Sequence, residues 1–318
     1  VRHDPGYRLN IPTGIYSTAC ADKDGSLWLA TEGHGLLNYN PVTQNAEFYL
    51  LDRTGPSLHN SNIIKTVLPE DDCIWCGTAF GEIYRFDLRT RKFSLFYKYP
   101  ESAVIYSLLR DSRGNLWAST IRRECALVCF TPDGKVLDTF KDEQGRKINM
   151  SGIRCLFEER EGVLLIGTRS TGIYRYDMNT GVLDNYRKDT LSSSKGFIPG
   201  NYISSIDRTK SGDIWISTYG SGIFRFDPEH GADLCVTKQE GLLDNNVCKL
   251  IVGRDGNLWM STSLGVAVYN PKTDKVHSYE RGNGVDVREF TLHGGTSMPD
   301  GTICFTANNG FITFQPLR

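Results

Sequence analysis

The chain has 318 residues, 39% of them hydrophobic and 23% charged, so it can bury a core and is not composed like a disordered segment. Its net charge of −1 argues against a nucleic-acid partner held by phosphate neutralisation. No run of about 18 apolar residues occurs, so this fragment is expected to make no membrane contact.

The chain opens on Val1-Arg2-His3-Asp4-Pro5, without an initiator Met or an apolar signal region, and reads as a piece of a longer protein. The first recurring element is Gly25-Ser26-Leu27-Trp28-Leu29-Ala30-Thr31. It returns at residues 72–78, 114–120, 162–168, 212–218 and 256–262, and in its most degenerate form at 301–307. Its fourth position is Trp28, Trp75, Trp117, Leu165, Trp215, Trp259 and Cys304, with spacings of 42 to 50 residues.

A β-branched apolar stretch precedes each copy, as in Ile63-Ile64-Lys65-Thr66-Val67-Leu68. A second strand follows, usually opening on Gly and closing on an aromatic residue: Tyr39, Phe86, Phe130, Tyr176, Phe226, Tyr269 and Phe314. A short alternating strand comes last, as in Lys92-Phe93-Ser94-Leu95-Phe96. Four short strands per period is the size of a propeller blade, and no helical periodicity competes with it. The expectation is an all-β chain, a single seven-bladed β-propeller over residues 1–318 with about four antiparallel strands per blade. The seventh unit lacks an outer strand, so residues 1–10 are expected to close the last blade beside Gly310–Phe314.

The repeated residue types have physical roles. The Trp and the closing aromatic supply area for packing blade on blade. The small residue before the Thr (Ala30, Gly77, Ser119, Gly167, Ser217, Ser261) suits a crowded place near the axis. Thr31, Thr78, Thr120, Thr168, Thr218 and Thr262 are expected to be structural, each hydroxyl bonding a turn group at a strand end.

The pattern Asp-x-x-Gly-x-Leu-Trp, clear in Asp22 to Trp28 and Asp111 to Trp117, followed by Gly-(Leu/Ile)-x-x-(Tyr/Phe)-(Asp/Asn)-Pro, resembles the regulator-propeller repeat. That repeat belongs to the periplasmic sensor region of Bacteroides-type hybrid two-component systems, which join a histidine kinase to a response regulator. The tail, with Glu289-Phe290-Thr291-Leu292-His293-Gly294-Gly295 and Asn309 to Pro316, resembles the end of the second propeller in those sensors. The resemblance implies periplasmic localisation, neighbouring modules of the same sensor chain as partners, and detection of an oligosaccharide ligand from polysaccharide breakdown. It leaves a homodimer open. Departures are local: Glu82 stands where Gly is usual, Ile121-Arg122-Arg123-Glu124 is inserted, and Leu165 replaces Trp.

Nine cysteines by themselves favour a reducing compartment, against the periplasm, but seven concordant repeats outweigh a cysteine count. Cys73-Ile74-Trp75-Cys76 has redox-motif spacing, yet on a strand its two thiols face opposite sides. Cys125 and Cys129 share one strand face on this reading and lack a nearby His for zinc. No cofactor, metal or catalytic constellation is read; a propeller enzyme of the antibiotic-lyase type needs a base and a metal or electrophile converging on one face, where Glu32, Glu289 and His293 could meet, though nothing in their spacing demands it. A ligand sensor is preferred, with that lyase or a protein-interaction scaffold as alternatives.

Ligand contacts are expected on the face where the turns between second and third strands meet the entries to the first strands. The first set offers His34, Phe80, Arg122 and Arg169, then Tyr219, Asn308 and Asn309. The second offers His59, Asn60, Asn62, Asn201 and Tyr202, then Asn245, Asn246 and Glu289. Aromatic faces, amides and arginines suit a polyhydroxylated ligand.

Overall fold

A computed structural model describes residues 11, 13–189, 193–280 and 289–316. Its strands fall into seven antiparallel groups, six of four strands and a seventh of three among the described residues. The innermost strands are Tyr16–Ala21, Ile64–Pro69, Ile105–Arg110, Ile153–Arg160, Ile203–Arg208, Val247–Val252 and Phe290–Ser297. Each lies beside the next, and the last lies beside the first, so the blades close into a ring. The chain is a seven-bladed β-propeller. The expected closing strand at residues 1–10 lies outside the described residues. Ile11 packs against the seam between blades seven and one.

Seven apolar clusters hold the ring, and each spans one blade–blade interface. The repeat explains them. Each anchor residue of one blade meets the next blade's closing aromatic in the same cluster. Trp28 lies 5.2 Å from Phe86, Trp215 lies 5.5 Å from Tyr269, and Trp259 lies 5.1 Å from Phe314, centroid to centroid. At the seam Cys304 of blade seven joins Tyr39 of blade one. The aromatic period therefore records contacts between blades.

The Asp of the repeat has two tasks. Oδ1 of Asp111 accepts the backbone N–H of Arg113 and Asn115, which fixes the turn. Its Oδ2 accepts the buried Trp117 Nε1–H at 2.8 Å. Asp22 does the same for Asp24, Ser26 and Trp28. In blade two, Glu70 takes the indole of Trp75.

The threonines staple the hairpin between second and third strands. Thr31, Thr168 and Thr218 Oγ1 donate to the carbonyls of Gly35, Gly172 and Gly222 at 2.7–2.8 Å. They accept the N–H of His34, Thr171 and Ser221 in return. The small residue one step earlier faces a full site. A Cβ on Gly167 would sit 2.3 Å from Cys155 Sγ, and one on Gly77 would sit 2.7 Å from Ile105 Cγ2.

Two features depart from expectation. A two-residue strand, Gly196–Phe197, bridges the outer strands of blades four and five, so these two form one nine-stranded sheet. Neither Gly196 nor Gly231 has room there for a Cβ, which would meet a backbone carbonyl oxygen at 2.2–2.3 Å. Cys125 closes a one-turn 3-10 helix, Arg123–Cys125, inside the predicted insertion. It is not on the strand that carries Cys129.

All cysteines from Cys20 to Cys304 other than Cys125 are free thiols. Cys73 and Cys76 are buried in different interfaces, on opposite faces of one strand. Burial pushes the Cys155, Cys248 and Cys304 thiols up to about 12. A buried, protonated thiol is a poor target for oxidation, so the cysteine count carries little information about compartment.

Candidate functional site

The innermost strands do more than close the ring. In the first six blades, one extra residue interrupts the pairing of the innermost strand with its neighbour near the strand's start. These bulge residues are Ser17, Lys65, Tyr106, Arg154, Ser204 and Cys248. In blade seven the irregular stretch is longer, between Phe290 and Gly295. A bulge re-aims a side chain out of the alternating pattern. Ser17, Lys65, Tyr106 and Arg154 all line an axial cavity of about 630 Å³. That is the size range of a small-molecule site.

The cavity wall is strongly polar. Arg154 is 9% exposed, and its guanidinium carbon lies 3.8 Å above the ring centre of Tyr106, the bulge residue of the preceding blade. Lys65 Nζ donates to Glu32 Oε1 at 2.5 Å. Lys249 stands opposite the small residue Ser261 and lines the same cavity, and its burial depresses its pKa.

His293 sits in the irregular stretch of blade seven with a left-handed backbone, φ 65°. His is one of the few non-glycine types enriched in that region. Its Nδ1 lies 2.5 Å from the Ser204 carbonyl, so Nδ1 carries the proton and Nε2 is left as the acceptor. Burial, and then the charges of Lys249, Arg154 and Lys65, lower its pKa to about 4. The ring is neutral at pH 7.

The sequence-derived residues divide into two groups. Arg169 and Asn308 line the cavity mouth, together with Tyr202 and Glu289 of the second set. The Arg169 guanidinium lies 6.0 Å over Tyr202, and Asn308 Nδ2 donates to Glu289 Oε2 at 2.9 Å. Tyr219 packs on Tyr202 at 5.6 Å but stands outside the cavity wall. His34, Phe80, Arg122 and Asn309 occupy their turns on the same face, also off the wall. Arg122 is engaged by Glu101, and His34 lies 6.3 Å from Phe48.

Several amides of the second set have structural work. The Asn62 carbonyl accepts the N–H of Gly33 and Gly35, and Asn245 does the same for Gly220 and Gly222. Their side-chain oxygens accept Leu51, Asp52 and Lys238 N–H groups. These asparagines lock each hairpin turn onto the entry of the next blade.

Sequence reasoning missed Lys65, Arg154 and Lys249. A signal was present for Lys65 and Lys249, each the one cation of its innermost strand, whereas Arg154 shares its strand with Glu158, Glu159 and Arg160.

Of the residues a propeller enzyme would use, Glu289 and His293 reach the cavity, and Glu32 reaches it through Lys65. Among the described residues, no group of three or more His, Cys, Asp and Glu is placed to hold a metal.

The fold and cavity define a class: a rigid propeller with a ligand-sized axial site. Comparisons narrow it. Residues 99–122 and 198–220, which enter blades three and five, match the family described as two component regulator propeller. The chain carries that repeat, as its sequence pattern indicates. A curated protein of Formosa agariphila named histidine kinase P4 is 22% identical over 97% of this chain. The chain spans 23% of that relative's length.

Among solved structures, the extracellular domain of a protein titled a hybrid two-component system, from Bacteroides thetaiotaomicron, superposes with TM-score 0.78. It is 22% identical, covering 98% of this chain and 40% of that one. A streptogramin B lyase superposes with TM-score 0.71 at 13% identity, over 95% of this chain and 94% of its own. At these identities the structural likenesses establish the fold alone.

Proposed function

We propose that this propeller is the extracytoplasmic, periplasmic sensing domain of a two-component signalling protein, and that it works by binding an oligosaccharide without chemical turnover. The observation that carries the reading is the axial cavity. Innermost strands of several blades build it, and it mixes the aromatic rings of Tyr106 and Tyr202 with amide, hydroxyl and cationic groups. Polyhydroxylated ligands are held by that combination. The regulator-propeller repeat and the similarity to a histidine kinase support a signalling role. His293 is tethered to the Ser204 carbonyl with its pKa lowered to about 4, which makes it a weak base, and the Glu289 carboxylate accepts from Asn308, so both favour binding over turnover.

A closed ring holds loops from distant chain positions at fixed separations, as a binding site requires. A ligand then signals by favouring one of two arrangements of the propeller against its neighbouring module.

The test is an Arg169→Ala, Tyr202→Ala double substitution in the intact sensor, read by glycan-array binding and a transcriptional reporter. Loss of both signals with the fold intact supports the reading. Retention of both overturns it. Turnover of a glycan by the purified propeller would replace it with the enzyme reading.

A further inference from the structure

We infer that the axial cavity is a receptor for an acidic group, so that the ligand bound there carries a carboxylate or a sulfate held between Arg154 and Lys249. This rests on the reading of the cavity as the ligand site and adds the charge class of what enters it.

The first observation is an unsatisfied cation. Arg154 is 9% exposed and lines the cavity, and its Nη1 has no hydrogen-bond partner among the described residues. Buried charged donors are rarely left open, and an unpaired one calls for an explanation such as a missing ion. The stack on Tyr106 holds the guanidinium in place and leaves its donors for another acceptor.

The second observation is the charge around it. The Lys249 ammonium forms no hydrogen bond or ion pair among the described residues. The carboxylate that acts on it, Asp207, is already accepting the backbone N–H of Val252 at 2.8 Å and of Arg208 at 2.8 Å. Lys65 is matched by Glu32. Arg169 adds a further cation at the mouth, and the carboxylate on the wall, Glu289, is held by Asn308. The chain as a whole carries −1, so this positive interior is a local concentration of charge.

The third observation is convergence. Lys249, Arg154 and Lys65 come from three different blades, yet all act on the one imidazole of His293. An oxyanion with two or more oxygens can accept from Nη1 and from an ammonium together, through charge-assisted hydrogen bonds. A volume of about 630 Å³ leaves room for the sugar ring that bears it.

The experiment is calorimetric titration of the 318-residue chain at low ionic strength with sodium glucuronate, glucose 6-sulfate and glucose. The expected result is one-to-one binding of at least one acid, with glucose at least tenfold weaker. Preference between the two acids reads carboxylate against sulfate, and either preference supports the inference. Arg154→Met and Lys249→Met should each weaken the acid at least tenfold without a change in melting temperature, and Arg154→Lys should recover part of the loss. Should Arg154→Met fail to fold, the part-exposed Lys249→Met carries the comparison.

Equal affinity for acids and glucose, affinity unchanged in the variants, or no binding of either acid would overturn the inference. Binding of glucose alone would sink the charge class and keep the cavity as a sugar site. Arg154-dependent binding of an acid, with a reporter in the intact sensor that ignores the Arg154→Met change, would keep this inference and sink the sensing role.

Discussion

Asp111 and Trp117 are tied by a buried hydrogen bond, 2.8 Å from the indole Nε1 to Oδ2, while the other carboxylate oxygen fixes the turn between them. One side chain thus joins the hairpin leading into the anchor strand to the Trp that packs against the next blade.

Asp111→Ala should cost about 2–4 kcal/mol, because it frees two turn N–H groups and leaves a buried indole N–H without an acceptor. Asp24→Ala, at an exposed position of the equivalent turn in blade one, should be near neutral. Denaturant titration of both variants checks the contrast. A loss under about 1 kcal/mol for Asp111→Ala would show that the Asp is dispensable to the repeat.

Gly167 and Gly212 should differ in why they resist substitution. A Cβ at Gly167 would collide with Cys155 Sγ, whereas Gly212 has open space but a φ of +96°. Gly167→Ala should cost about 1–3 kcal/mol by overpacking. Cys155→Ala should relieve part of that cost. Gly212→Ala should cost about 1 kcal/mol through backbone strain, and no neighbouring substitution should rescue it. A double-mutant cycle without coupling between positions 167 and 155 would refute the crowding argument.

These contrasts bear on what the sequence reveals. The blade count, the anchors and the closing aromatics are legible because they pack blade on blade, and every blade needs the same types. Trp28, Trp117 and Trp215 are repeated for that reason. The axial residues are not legible as a set. Ser17, Lys65, Tyr106 and Arg154 hold equivalent bulge positions yet have no one residue type in common, and periodic reading passes over what does not repeat. The turn residues mislead for the converse reason. Asn62 and Asn245 resemble ligand-binding amides in the sequence, and only the backbone geometry shows them accepting hairpin N–H groups.

The cysteines should react as buried groups. In denaturant most of the nine should titrate as free thiols. In the native ring Cys20, Cys76 and Cys304 should react slowly with a thiol reagent even at alkaline pH, because burial raises their pKa. Four intact disulfides by mass spectrometry would contradict the structure.

His293 should make stability depend on pH. Its folded pKa, about 4, lies below the unfolded value near 6.5, so the unfolded state binds the proton more readily. Its contribution is therefore complete above about pH 6.5 and is lost as pH falls through about 4. The groups facing it, Lys249, Arg154 and Lys65, all lower its pKa and so act in the same direction. Relative to His293→Asn, which also tolerates a left-handed backbone, the protein should lose on the order of 3 kcal/mol between pH 7 and pH 4. Parallel denaturation curves for the two proteins across that range would show that the imidazole does not titrate in isolation.

The bulges separate two jobs that strands usually combine. In blades two to four the paired residues Ile64, Ile105 and Ile153 belong to the apolar interfaces and cannot change freely, whereas the interrupting Lys65, Tyr106 and Arg154 face the axial cavity and lie outside the apolar clusters. Substituting Lys65, Tyr106 or Arg154 alters the lining while the interfaces keep their aromatic contacts. The ring can therefore be readdressed to a new ligand one blade at a time, with its frame left as a constant part and the axial positions as its variable ones.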